Sequence, residues 1–238
     1  MSRPYVEMTG SVMAAFGAGG VRVSDDSIEV DEGRYVPTRY QVEPDATSAG
    51  YPLAVAAVAG GAIAVHGLTR ASLQGDTRFV DVLASMGCGV EWSGAGATVS
   101  RDPTRSLAGV DVDMADMSDL VPTLAVVAAT ATSATRIRGV GFIRGKESDR
   151  LGDLAAELAK TGAEVAVEHD GLLIDPAHRA LHGARLATHH DHRLAMAFGV
   201  LGTVVPGVDV EDPSVVTKSW PEFWQMLEYI TGHAHEPG

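Results

Sequence analysis

The chain has 238 residues, 45% hydrophobic and 21% charged, enough to bury a substantial core as one large domain or two small ones. A formal net charge of −13 argues against a general nucleic-acid or anionic-membrane surface, although a few local Arg and Lys can outweigh that field inside a cleft. One cysteine excludes an internal disulfide framework, and neither a signal core nor a bilayer-length apolar run is present, so a soluble cytoplasmic protein is expected.

Residues 5–16 have helical apolar spacing and run into Gly17. Two short strand patterns follow, 21–23 and 27–30, with Asp25-Asp26 marking the turn. Residues 48–59 form an apolar helical stretch stopped by Gly60-Gly61, ahead of a strand at 62–66. A helix at 76–86 ends in Gly87 and leads to strands at 90–92 and 97–99. Cys88, in that turn, reads as a small buried filler, since no activating partner is visible. A third series has a helix at 119–130, a strand at 135–140, an amphipathic helix at 149–161 ending in Gly162, and strands at 164–167 and 171–174. A fourth has a helix at 191–202, a strand at 208–210 and a helix at 220–231 that meets Gly232.

Gly17, Gly87, Gly162 and Gly232 recur at intervals of about 70 residues, each where a helix wants a left-handed C-cap. The pattern predicts an α/β (α+β) fold of repeated βαβαββ units. Three units would turn their apolar helix faces inward around a helical core, and the first copy would begin in mid-repeat.

Four clusters precede helices. Gly145-Lys146-Glu147-Ser148-Asp149-Arg150 places two cations and two carboxylates at a strand-to-helix junction. Free N–H groups and the dipole there favour anions, and Lys146 and Arg150 would share a helix face if the helix has begun. Glu147 beside Lys146 suits proton transfer. A solvated helix start capped by Ser148 or Asp149 explains the same residues. Thr188-His189-His190-Asp191-His192-Arg193 invites a zinc reading, but its nearly adjacent histidines are poorly spaced for one; Arg193 suits a carboxylate or phosphate better. Asp119 reads equally as an N-cap, and Lys218 alone as a solvated lysine. Repetition would nevertheless bring Asp119, Lys146–Arg150, Arg193 and Lys218 to one end of the domain. That convergence suits an anionic substrate whose reaction removes and donates protons.

Several runs, in this order, resemble the 3-phosphoshikimate 1-carboxyvinyltransferase (EPSP synthase) family. They are Arg3-Pro4-Tyr5, Glu43-Pro44-Asp45-Ala46-Thr47-Ser48-Ala49, Gln74-Gly75-Asp76, Asp113-Met114 to Asp119, Lys146-Glu147-Ser148-Asp149-Arg150, Asp191-His192-Arg193-Leu194-Ala195-Met196 and Lys218-Ser219-Trp220-Pro221. The resemblance implies an inside-out enolpyruvyl-transferase architecture. Residues 1–42 would be the remnant of the last repeat of an N-terminal domain, and 43–238 a C-terminal domain of three βαβαββ units. It implies enolpyruvyl transfer from phosphoenolpyruvate to the 5-hydroxyl of shikimate 3-phosphate, without metal or organic cofactor. Asp119 matches the base and Glu147 the acid that protonates the methylene carbon. Lys146 matches a substrate-contacting residue that stabilises developing charge. Arg150, Arg193 and Lys218 match phosphoenolpyruvate-binding cations. His192 falls within the same substrate-binding run, and Ser2 and Tyr5 match the shikimate-phosphate side.

The sequence also departs from the family. Phe142-Ile143-Arg144-Gly145 stands where some members carry a substrate-contacting Asn, and His190 where a small polar residue is common. The family's N-terminal Lys-Ser, Arg and Ser-Ser-Gln substrate contacts have no counterpart, so a separate N-terminal half would be needed. A truncated, inactive domain and the sibling transferase acting on UDP-N-acetylglucosamine are the alternatives.

Overall fold

The computed structural model describes residues 3–24, 26–176 and 180–232. Helix α1 (Arg3–Ala15) leads to a short antiparallel hairpin, β1 (Arg22–Val23) and β2 (Ile28–Glu29), in the register Val23↔Ile28. Asp25, half of the expected turn pair, lies outside the described residues. Residues 31–45 follow without regular secondary structure.

The core is built on three apolar helices, α2 (Ala46–Ala59), α4 (Val121–Ala129) and α6 (His192–Gly202), which pack against one another. Neither α2 nor α4 contains a charged residue, and every residue of α4 is buried. A helix apolar on all sides has to be enclosed, so the helices take the centre and the sheets the outside. Small residues let them approach closely: a Cβ at Gly50 on α2 would strike Leu120, just before α4. Asp45 starts α2 by accepting the N–H groups of Thr47 at 2.9 Å and Ser48 at 3.2 Å.

One sheet combines β3 (Gly61–His66), β4 (Gly89–Ser93) and β5 (Gly96–Arg101) in the order β3-β5-β4, all antiparallel, with Ile63↔Val99 and Val90↔Val99 in register. Helix α3 (Phe79–Ser85) precedes β4. A second sheet holds β6 (Asp111–Asp113), β7 (Thr135–Arg138), β8 (Glu164–Glu168) and β9 (Gly171–Asp175) in the order β6-β7-β9-β8. Its β6–β7 pairing is parallel and the rest antiparallel. Helix α5 (Gly152–Ala159) feeds β8. Strands β10 (Arg185–Leu186) and β11 (Asp209–Val210) pair in parallel on either side of α6, and α7 (Phe223–Thr231) follows.

The α/β class and the periodicity expected from sequence hold. Gly17, Gly87, Gly162 and Gly232 all have positive φ, at 89°, 106°, 86° and 68°. Among the described residues, 111–175 show all six elements of a βαβαββ unit. The preceding unit has no opening strand: Pro44 lacks an N–H to donate to a ladder. The last unit shows no hairpin among the described residues.

Candidate functional site

Four 3₁₀ turns prepare the site: Gly75–Arg78, Ala115–Leu120, Gly141–Gly145 and Pro213–Lys218. They carry or adjoin Asp76, Asp119, Lys146 and Lys218. Two helix starts expected from sequence therefore move. Asp119 lies inside a 3₁₀ turn, and α4 begins at Val121 with no side-chain cap. Lys146–Arg150 forms an irregular bend before α5, so Lys146 and Arg150 do not share a helix face. The Asp149 carboxylate accepts the N–H of Gly152 at 3.1 Å, which leaves the capping reading partly right.

The bend turns Arg150 inward and leaves Lys146, Glu147 and Asp149 at the surface. Arg150 is 1% exposed, and its guanidinium meets three carboxylates. Its Nε donates to Asp191 Oδ2 at 2.6 Å, its Nη1 to Asp119 Oδ1 at 3.0 Å, and its Nη2 to Glu147. Asp119 also accepts from Lys146 and from Arg193 Nη2, the latter at 2.8 Å. Lys218 reaches Glu147 Oε1 at 3.0 Å. Four cations thus surround three carboxylates, leaving one excess positive charge. The charges come from the approaches to α4, α5, α6 and α7. Asp191 is the N-cap of α6: its Oδ1 accepts the N–H of Arg193 at 2.9 Å while its Oδ2 grips Arg150. Sequence marked Asp191 as a helix start but gave no sign of its partner.

Electrostatics follow from this packing. Burial works to raise Glu147, but the Lys218 hydrogen bond and the Arg150 charge prevail and hold it at about 2. Burial likewise works against ionised Asp119, yet Arg193, Lys146 and Arg150 keep its carboxyl below the ordinary value. His192 is buried with Nδ1 3.8 Å from Asp191; burial, then the charges of Arg193 and Lys218, depress it to about 4, so it is neutral at pH 7.

Tyr5, on α1, donates its hydroxyl to Asp76 Oδ2 at 2.9 Å. Burial and the adjacent Asp76 charge raise the phenol, and Asp119 contributes as well, which sets Tyr5 at the edge of the same charge system. Asp76 is buried, its Oδ1 has no partner among the described residues, and desolvation lifts it to about 6. Ser2, the other residue expected on this side, lies outside the described residues. Tyr51, on α2, forms part of the floor: fully enclosed, it is raised by burial to about 12 and feels the charge of Arg193 without meeting it in hydrogen-bond geometry. Sequence reasoning singled out neither Tyr51 nor a role for Asp76, since both look like ordinary residues of a helix and a turn.

The arrangement can hold a small polyanion on Arg193, Lys218 and Lys146, with two ionised carboxylates beside it. Among the described residues no group of His, Cys, Asp and Glu could hold a metal ion, and no helix is long and apolar enough to cross a membrane. The model of one family, EPSP synthase (3-phosphoshikimate 1-carboxyvinyltransferase), matches residues 1–227. A 3-phosphoshikimate 1-carboxyvinyltransferase from Methanoculleus marisnigri is 48% identical over 227 residues, covering 95% of this chain and 53% of the relative. The structure of EPSP synthase from Acinetobacter baumannii superposes with a TM-score of 0.77 at 26% identity, covering 94% of this chain and 54% of that one. The enolpyruvyl transferase NikO from Streptomyces tendae shares the fold, with a TM-score of 0.70 at 22% identity over 95% of this chain and 53% of its own. The chain spans about half the length of the curated relatives it matches.

Proposed function

Because the chain belongs to the EPSP synthase (3-phosphoshikimate 1-carboxyvinyltransferase) family, we propose that it supplies one wall of an enolpyruvyl-transfer site. The substrates would be phosphoenolpyruvate and shikimate 3-phosphate, and a second polypeptide segment would supply the opposite wall. The observation that carries this reading is the convergence of Lys146, Arg150, Arg193 and Lys218 on Asp119 and Glu147. Cations that neutralise one another's carboxylate partners can turn to an incoming phosphate and carboxylate instead. A cytoplasmic location goes with this reading and with the single, buried Cys88.

In the proposed reaction Asp119 takes the proton of the sugar hydroxyl as the new C–O bond forms at C2 of phosphoenolpyruvate. Glu147 gives a proton to the methylene carbon. Loss of phosphate from the tetrahedral adduct, which takes up the hydroxyl proton held by Asp119 as it departs, with return of the methyl proton to Glu147, leaves the enolpyruvyl ether and restores both carboxylates. Both carboxylates are ionised in the closed network, so a bound anion has a second effect. By drawing Lys218 away from Glu147 it raises that carboxyl and lets it carry a proton; by drawing Arg193 from Asp119 it makes Asp119 a better base.

The test is phosphate release from phosphoenolpyruvate plus shikimate 3-phosphate, with and without an added N-terminal half from a relative. Negligible turnover alone and turnover on complementation are expected, with Asp119→Ala and Glu147→Gln each losing most of the rate. Full activity of the chain alone would refute the need for a second segment. The chain's half-length favours a second reading, a domain that binds phosphoenolpyruvate and turns nothing over; no turnover under complementation would select it.

A further inference from the structure

Helix α5 and the bend before it hold the turn that precedes α6 at two points. The first is Arg150 on Asp191. The second is Glu157, about two helical turns further along. Its carboxylate is buried, an unusual place for a glutamate. It accepts the backbone N–H of Ala187 at 2.8 Å and the ring Nε2 of His189 at 3.1 Å, and Lys160 closes over it at 2.6 Å. His189 also lies 3.8 Å from Asp153, one turn back on α5.

The turn it grips is not one the chain would adopt freely. His189 and His190 both have left-handed backbone, with φ of 50° and 58°, and are the non-glycine residues with positive φ among those described. The turn closes through the N–H of Asp191 on the carbonyl of Thr188 at 2.8 Å. Asp191 and Arg193 follow at once, so the direction in which they leave the turn decides whether they meet Arg150 and Asp119.

We propose that Glu157 is a positioning residue for the anion site: it fixes the 187–191 turn, and through it aims Asp191 and Arg193. The ligand of that site is the one proposed above, and the inference rests on that reading only for the ligand. Glu157 touches no substrate in this scheme. It acts by keeping a strained turn in one conformation, so that Arg193 presents its guanidinium beside Asp119 before an anion arrives.

The experiment uses the whole chain in three variants. Glu157→Gln keeps the shape and removes the charge. His189→Asn tolerates left-handed backbone but is too short to reach Glu157. Lys160→Ala strips only the outer ion pair. Two readouts are taken on folded protein: the Nε–H resonances of Arg150 and Arg193 without ligand, and the dissociation constant for phosphoenolpyruvate. Glu157→Gln is expected to move both resonances and weaken binding about 10-fold, the low end for losing hydrogen-bonded support behind a ligating group. His189→Asn should move them in the same direction by less, and Lys160→Ala should move neither. If Glu157→Gln folds with both resonances in their wild-type positions, the proposal is wrong. It is equally wrong if Lys160→Ala moves them as far, because the effect would then be general electrostatics. Should Glu157→Gln fail to fold, unmoved resonances in His189→Asn overturn it. Should the wild-type chain bind no phosphoenolpyruvate, the parent reading fails, and the ligand-free resonances still decide the role of Glu157.

Discussion

Arg150 Nε and Asp191 Oδ2 lie 2.6 Å apart, the two side chains 1% and 0% exposed. They come from opposite sides of the hairpin β8–β9, so this pair ties the bend before α5 to the first turn of α6. Removing one partner of an enclosed ion pair leaves the other charge without compensation. Asp191→Asn keeps a side-chain oxygen that can cap α6, so the loss falls on the ion pair. The substitution is expected to cost about 3 kcal/mol in equilibrium urea unfolding, at the lower end for buried pairs because Asp119 and Glu147 still face Arg150. A loss under about 1 kcal/mol, the range of exposed pairs, would show that water reaches the guanidinium.

Lys218 occupies the other extreme, with its side chain 63% exposed. Lys218→Ala should change stability by less than about 1 kcal/mol. It should still matter to the site, because its hydrogen bond is the foremost influence holding Glu147 at about 2. Followed by carboxyl-carbon NMR, the Glu147 titration should move up toward the ordinary glutamate range. A midpoint that stays at about 2 would show that Lys218 is not what holds it there.

Asp76 and His192 give opposing pH dependences in overlapping windows. Asp76 is raised in the folded chain to about 6, so the folded state holds its proton more tightly. Its contribution is full below the unfolded value of about 4 and is lost as pH rises to about 6. His192 is lowered to about 4, so its contribution is full above the unfolded value of about 6.5 and is lost as pH falls toward 4. The two slopes partly cancel in the wild type. Asp76→Asn removes the falling one and keeps a group that can accept from Tyr5. Thermal melts of this variant between pH 4 and 7 should climb more steeply than wild type, with a relative gain on the order of 2 kcal/mol at pH 7. Parallel curves would mean that Asp76 is not the group carrying the strain.

Gly50 is where α2 passes Leu120, the residue that follows Asp119. Gly50→Ala should cost about 1–3 kcal/mol through overpacking, despite the better helix propensity of alanine. Gly94, in the β4–β5 turn, faces open space, and Gly94→Ala should be nearly neutral by the same chemical-denaturation measurement. Equal effects at the two positions would refute a steric origin.

Much of this protein could be read from its sequence because the signals are local. A glycine after an apolar helical stretch requires left-handed backbone wherever it falls, and Gly17, Gly87, Gly162 and Gly232 all adopt it. Uncharged stretches such as residues 121–129 must be enclosed, which put helices at the centre. The charged runs at 146–150 and 191–193 were visible as sites for anions, and their order carried the family resemblance. Other features depend on partners far along the chain. Spacing gave Arg150 a helix face, but the helix starts after it, and its burial follows from Asp191, 41 residues away. Glu157 reads as one more polar residue on an amphipathic helix until the 187–191 turn closes over it. Tyr5 and Asp76 are separated by 71 positions and show no pattern that pairs them. The sequence by itself therefore determined the repeat, the inward helices and the residue types at their starts, since backbone geometry and hydrophobic burial act within a few residues. Which charge is enclosed, which is exposed and which carboxylate each cation meets was decided by tertiary packing, because desolvation and ion pairing depend on distance in space rather than along the chain.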